Sequence, residues 1–388
     1  MKHLSFLHSS FFIFIFTTFT SLAAFANDGV FFAGGSQLVP IKETNIAITK
    51  EVLTISLQDD GYAKVDVQYE FRNNGDEKVV TMGFESMAPY NDDKTLNKRG
   101  IHPYIKDFTA VMNGEPISYK NGIAASTFGE NKAITPLDLK QWKASNEAKL
   151  KEDDWLENHM LYNAKLDSIV EFSYVYYFTV TFRPGVNTVH HTYRYRMSYG
   201  VGRTFEVPYW LTPAMRWANH QIDDFTLRIQ AKNTAKHFYL PDSLFMSAPF
   251  TVTEGTGKVR RTEHYDESCT EISLRNGTVE WHATNFKPIQ NMVISSADML
   301  QMEHFVLGGF YDRSQGYQPW SYRDVEKVTA NDKRILRNLP YASRGYVFKD
   351  PALRDYFNAL WWYMPDPTWE TSTDDFTPRE WKLINKGE

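Results

Sequence analysis

The residues best suited to chemistry lie in "TEHYDESC", Thr262 to Cys269, where Glu263, His264, Asp266, Glu267 and Cys269 stand close together. Two chemistries could use them. One is a metal site; the other is a thiol nucleophile whose proton passes to an imidazole. The local spacing matches no zinc pattern, and a Cys–His pair must be assembled in space from distant parts of the chain. The segment is therefore expected to be a hairpin with a charged tip, and an envelope hydrolase built on Glu263, His264 and Cys269 is the alternative.

Other catalytic signatures fail on spacing. "GGS" at Gly34 to Ser36 lacks the second glycine of a nucleophile elbow, and no HExxH is present. His190 and His191 are neighbours in a predicted strand, so they point to opposite faces and cannot share a metal; one is expected buried and one exposed. "GVGR", Gly200 to Arg203, has no helix after it to supply a dipole, which makes it a turn. No cofactor is expected.

The second candidate is "LRNLPYASRGYVFKDPALRDYFNALWWYMPDP", Leu336 to Pro367, crowded with arginines and aromatics. Arg337, Tyr341, Arg344, Trp361 and Trp362 are the candidate binding residues. Each has a structural reading beside the functional one. The tryptophans can close a small core, and the arginines can pair with acids such as Asp355 or hold an anionic ligand in two hydrogen bonds. Gly345, after a helical turn, suits a left-handed cap.

These residues need elements to position them. Period-two alternation runs through "YAKVDVQYEF", Tyr62 to Phe71, with Ala63, Val65, Val67, Tyr69 and Phe71 on one face. "DDG" at 59–61, "NNGD" at 73–76 and "NG" at 113–114 supply turns. Similar strands recur at 168–182, 187–199, 223–230 and 277–286, so the body is predicted to be mainly β, an antiparallel sandwich or a pair of them. A Lys-, Glu- and Leu-rich stretch, about 135–166, predicts a helical insertion with Thr135 and Pro136 at its start.

After the polar segment 311–324, read as a linker, the pattern becomes helical. Asn331 or Asp332 opens one helix, Asp350 with Pro351 a second, and "TPRE" at 377–380 is a capping box for a third. The expected domains are thus 27–310, the β body, and 325–388, a small helical unit.

Residues 1–26 read as a secretory signal: Lys2, the apolar run Phe11 to Phe16, and Ala24-Phe25-Ala26 as the cleavage site. The run falls short of the roughly 20 residues of a membrane span. The expectation is a periplasmic or secreted protein beginning near Asn27. One cysteine excludes an internal disulfide, and a formal net charge of −5 argues against nucleic acid as a partner.

The tail resembles the YARHG domain, an extracellular bacterial module, through its leucine-arginine-asparagine start, tyrosine-alanine, glycine, aromatic-valine-phenylalanine and aromatic-tyrosine-proline end. Tyr341, Ala342 and Gly345 match the name, whereas Ser343 and Arg344 replace its arginine and histidine. "NDGVFFAGG", "VQYEFRNNGDEKVVTMGFE" and "PYWLTPAMRWANHQIDDFTLRI" resemble the DUF4424 family of exported β-rich proteins, over most of 27–310. Neither resemblance brings a catalytic residue. Together they imply a non-enzymatic envelope accessory whose tail binds peptidoglycan, another anionic envelope polymer or an envelope protein. A structural or assembly protein without a ligand is the remaining alternative.

Overall fold

The computed structural model describes residues 35–36, 38–40, 45–87, 89, 100–125, 136–137, 160–163, 168–200, 203–264, 267–297, 309–312, 316–319, 330–372 and 376–386. Thirteen strands carry the body: β1 (Ile46–Leu57), β2 (Tyr62–Asn73), β3 (Lys78–Met87), β4 (Ile105–Met112), β5 (Lys120–Ala125), β6 (Ser168–Phe182), β7 (Gly185–Arg196), β8 (Arg203–Trp210), β9 (Ile222–Ala231), β10 (Lys236–Pro241), β11 (Thr251–His264), β12 (Glu267–Phe286) and β13 (Met292–Ser296). Shorter pairings extend them among the described residues.

Alternation decides which way each strand faces. In β2, Ala63, Val65, Val67, Tyr69 and Phe71 are all buried while Lys64, Gln68 and Glu70 are exposed, as a half-wet sheet requires. β3, β6 and β5 form a smaller sheet over one half of the larger one. Phe84 of β3 meets Tyr193 of β7 with ring centroids 4.5 Å apart, and Phe182 of β6 meets Phe71 at 5.5 Å. This is sandwich packing. The "RPG" turn, with Gly185 at φ 91°, carries the chain from the small sheet into the large one. Asn187 holds it by donating to the Arg183 carbonyl at 2.8 Å.

The larger sheet runs β8-β13-β10-β12-β9-β1-β2-β7-β4, with β11 paired to β12. The long central seam departs from the expected antiparallel order, because β1 and β9 are parallel from Ile48↔Ile222 to Leu57↔Ala231, as is the short pairing of Gly35–Ser36 with Tyr209–Trp210. Alternation fixes a strand's face but not its neighbour, and a parallel neighbour must come from far along the chain. The seam joins the two halves of the body into one sheet over one continuous core. It also sets a row: Leu57 pairs with Ala231, and Ala231 with Gly277. The turns after β1 and β9 and the bend at Asn276 therefore lie side by side.

The borders of the expected helical insertion are extended. Pro136–Leu137 pairs with Ile123–Ala124, and Met160–Asn163 pairs with the start of β6, so no helix begins at Pro136; 138–159 lies outside the described residues. The expected linker overlaps a hairpin, Gly309–Asp312 against Gly316–Pro319. The predicted signal, 1–26, also lies outside the described residues. No helix among those described is long and apolar enough to cross a membrane.

The tail contains α1 (Ala330–Ala342), α2 (Pro351–Ala359) and α3 (Pro378–Lys386). The Asp350 carboxylate accepts from Leu353 N at 3.0 Å, capping α2. Thr377 Oγ1 accepts from Glu380 N and Glu380 Oε2 accepts from Thr377 N, at 3.2 and 2.9 Å, completing the capping box of α3. Ile335, Leu336, Leu339, Phe348, Phe357, Trp362 and Leu383 form the core.

Candidate functional site at the junction of body and tail

The tail is docked on the body through β12 and its neighbours. Arg275 of β12, buried, donates to the carbonyls of Arg344 and Met364, at 3.1 and 3.3 Å, and to the Asp366 carboxylate at 3.1 Å. Ser273 donates to the Trp362 carbonyl at 2.9 Å, and Lys258 Nζ to those of Trp361 and Tyr363 at 3.0 and 2.9 Å. Body side chains thus satisfy the backbone of the "WWYMP" loop, which has no ladder of its own to do so. Two hydrogen bonds from Thr368, joined by the bond from Arg275, hold the Asp366 carboxyl well below its usual range, at about 2.

The "YASRG" motif sits inside this docking. Pro340 lies inside α1, two residues before its end, and its carbonyl accepts from Ser343 Oγ and from Arg344 Nη1, each at 2.9 Å. Arg344 then forms a buried two-pronged pair with Glu380, 3.0 and 2.9 Å, and its guanidinium lies 4.3 Å from the Phe376 ring centre. The partner is Glu380 rather than Asp355, which pairs with Arg354. Gly345 has φ 90°, and a Cβ there would come within 2.8 Å of the Met364 carbonyl and 2.9 Å of the Arg275 guanidinium. Both the backbone angle and the close approach demand glycine.

The other candidate residues divide. Trp362 is fully buried, and Tyr341 packs on the tail core beside Tyr346 and Phe376. Trp361 is half-buried, with the Arg260 guanidinium 4.3 Å from its ring and His237 beside it at 5.7 Å. Arg337 is exposed on α1. The five do not converge on one surface.

Either side of "TEHYDESC" the ends of β11 and β12 pair, with His264 opposite Glu267 and Thr262 opposite Cys269; Tyr265 and Asp266 lie outside the described residues. Cys269 is buried, and burial, with Asp242 and Glu271 nearby, pushes its thiol up to about 11. A thiol so protected from ionisation is a poor nucleophile. His264 lies against Glu271, 3.8 Å away, and stacks on Tyr239. Burial alone would raise the Glu271 carboxyl, but hydrogen bonds from His237, His264 and Arg260 outweigh it and hold the group far below its usual range. Among the described residues no three His, Cys, Asp or Glu side chains are grouped to hold a metal ion. His191 is buried and His190 half-exposed against Asp66, as the alternation requires.

The docking leaves a cleft of about 500 Å³ between the two units, lined by Asp59, Asn233 and Asn276 of the body and by Arg344, Trp369, Phe376 and Thr377 of the tail. Asn233 and Asn276 adopt φ 63° and 46°, and the Asn233 N–H donates to Asn276 Oδ1 at 2.6 Å. Asp59 accepts from Lys236 Nζ at 2.8 Å and Thr234 Oγ1 at 2.6 Å. The body's share of the cleft comes from the turns at Asp59 and Asn233 and from Asn276, a positive-φ residue within β12. Their only sequence signal is that asparagine tolerates positive φ, which marks turns everywhere and sites nowhere in particular.

Residues 315–386 match the YARHG domain, and residues 26–208 match DUF4424, a domain of unknown function. The chain couples a DUF4424 region to a YARHG domain. The DUF4424 match ends at β8, short of position 310, so the sheet's second half lies outside it. No curated protein matches the chain. Among solved structures, a Legionella pneumophila protein provisionally named a nutrient binding protein aligns at 17% identity and TM-score 0.48, over 93% of this chain and 100% of its own. An M1 zinc metallopeptidase from Deinococcus radiodurans aligns at 10% identity and TM-score 0.24, over 66% of this chain and 43% of its own. Baculovirus P35 aligns at 12% identity and TM-score 0.25, over 67% and 99%. The YARHG signature here is a docking element as well as a helix end, since the Arg344 carbonyl and Gly345 both meet Arg275.

Proposed function

We propose that this is an exported envelope protein that binds a cell-wall polymer without chemical change, and that it does so at the cleft between the YARHG domain and the β body. The observation that carries the reading is the cleft itself: about 500 Å³, formed jointly by both units, with two aromatic rings beside polar turn residues. Concave sites with a few convergent polar groups are where ligands bind. Export rests on the amino-terminal signal pattern, and a periplasmic or secreted address supplies such polymers. The tail is a binding unit with the body as its partner in the site. Of the five candidate residues, Arg344 lines this cleft.

The test is co-sedimentation of the mature full-length protein with purified peptidoglycan sacculi, comparing Trp369→Ala with wild type. We expect roughly tenfold weaker retention with an unchanged melting temperature, in line with the weight of aromatic anchors at binding sites. Equal retention of the two proteins, or no retention of either, overturns the proposal. Release of soluble fragments from the sacculi points instead to a hydrolase.

A further inference from the structure

The cleft does not stand alone. On one side a depression of about 590 Å³ shares Asp59 with it, and on the other one of about 300 Å³ shares Asn233 and Asn276. The sheet explains the continuity. Arg194 of β7 is opposite Lys64 of β2, and Leu57, Ala231 and Gly277 stand in one row across β1, β9 and β12. From β7 to β12 there are four strand spacings of about 4.8 Å each, so the depressions together run for roughly 19 Å.

Resting on the binding proposal above, we infer that these three depressions form one groove and that its ligand is an uncharged glycan strand rather than an acidic peptide or a polyanion.

The charges along the groove argue against an anion. Its carboxylates are Asp59, Asp60, Asp107 and Glu254, and its cations are Lys64, Arg194, Lys232 and Arg344, four of each sign. Both arginines are already engaged: Arg194 with Asp60 and with Asp107 at 3.8 Å, Arg344 with Glu380 at 2.9 Å. Asp59 holds Lys236 at 2.8 Å. A polyanion would meet carboxylates along the whole path and would have to compete with Asp60, Asp107 and Glu380 for the two arginines.

The neutral groups favour sugar. Gln230, Asn233, Asn276, Thr192 and Thr377 line the groove with amides and hydroxyls, which both donate and accept, as a sugar hydroxyl does. Trp369, in the middle depression, offers an apolar face for the C–H side of a sugar ring beside those polar groups. The groove is open at the surface and long in one direction, which suits a strand threaded past the turns.

The experiment is titration calorimetry of the full-length mature protein with uncharged β-linked N-acetylglucosamine oligomers of increasing length, and with polyglutamate and polyphosphate. The expected result is affinity that climbs with oligomer length, levels off once the groove is filled, and is insensitive to added salt. Trp369→Ala should weaken every oligomer about tenfold, whereas Gln230→Ala and Thr192→Ala should weaken the longest while sparing the shortest. Salt-sensitive binding of a polyanion that Trp369→Ala abolishes overturns the glycan assignment while leaving the cleft as the binding site. Glycan binding indifferent to all three substitutions removes the groove and the cleft together. No binding of any oligomer by a protein that still sediments with sacculi overturns the glycan assignment alone.

Discussion

Arg275 of the body and Asp366 of the tail lie 3.1 Å apart, and the same guanidinium satisfies two tail carbonyls. The YARHG domain is therefore completed by a residue outside it. Removing one partner of a buried, hydrogen-bonded charge costs about 3–5 kcal/mol because the remaining groups are left unpaired. Arg275→Ala should lower full-length stability by that order and expose the tail first, seen as faster proteolysis of residues 330–386 than of the sheet. Cooperative unfolding of both units, unshifted from wild type, would contradict the docking.

Arg344 and Glu380 form a buried ion pair, 4% and 1% exposed. Arg344→Ala and Glu380→Ala should each destabilise by about 3–5 kcal/mol, and the double variant by clearly less than their sum, because neither charge is then stranded. Glu380→Ala additionally removes the capping-box carboxylate of α3. A denaturant-melt double-mutant cycle reads the coupling; additive losses would show that the pair is not coupled.

His191 is fully buried between Tyr69 and Tyr193, neither ring nitrogen has a hydrogen-bond partner among the described residues, and burial lowers its pKa to about 3 from 6.5. His102 shows the same lowering to about 3. A depressed pKa means that the unfolded state takes up the proton first. The stability is present above pH 6.5 and is lost as pH falls toward 3, at about 1.4 kcal/mol per pH unit for each histidine. His191→Phe fills the site with an apolar ring and strands no polar atom, so it should equal or exceed wild-type stability at neutral pH. The same substitution should remove one proton's slope between about pH 4 and 6, measured by denaturant midpoints across that range.

Cys269 is 1% exposed and its thiol is pushed up to about 11 by burial and neighbouring carboxylates. Native protein at pH 8 should react with an aromatic disulfide reagent only as fast as it opens, far more slowly than the denatured chain. Cys269→Ser should leave sacculus binding unchanged. Rapid stoichiometric labelling of the native protein would falsify the buried assignment and revive a thiol chemistry at this hairpin.

Gly345 faces the Met364 carbonyl and the Arg275 guanidinium from a left-handed backbone. Gly345→Ala should cost more than the 1–2 kcal/mol, approximately, of the backbone angle alone, because the methyl group has nowhere to go. Thermal melts of Gly345→Ala in wild type and in Arg275→Ala separate the two effects. A smaller penalty in the second background confirms that the guanidinium is part of the obstacle.

What local chemistry controls was legible in the chain. Alternation in β2 assigned Ala63, Val65, Val67, Tyr69 and Phe71 to the core, Asp350 and Thr377 announced their caps, and Gly345 its helix end. Each depends on a few neighbouring residues, so a short window holds the whole cause. Tertiary structure decided the rest. The parallel pairing of β1 with β9 joins residues 174 positions apart at Leu57 and Ala231, and no period in either strand names its partner. That pairing brings the Asp59, Asn233 and Asn276 turns together, and the docking of the tail places Trp369 among them. By residue type alone Arg344 can pair with an acid or hold an anionic ligand, and arginine is seldom buried without a partner; its partner, Glu380, is 36 residues away and is brought near only by the fold of the tail. Alternation and capping are properties of one segment, whereas a site made of turns is a property of the order in which segments meet.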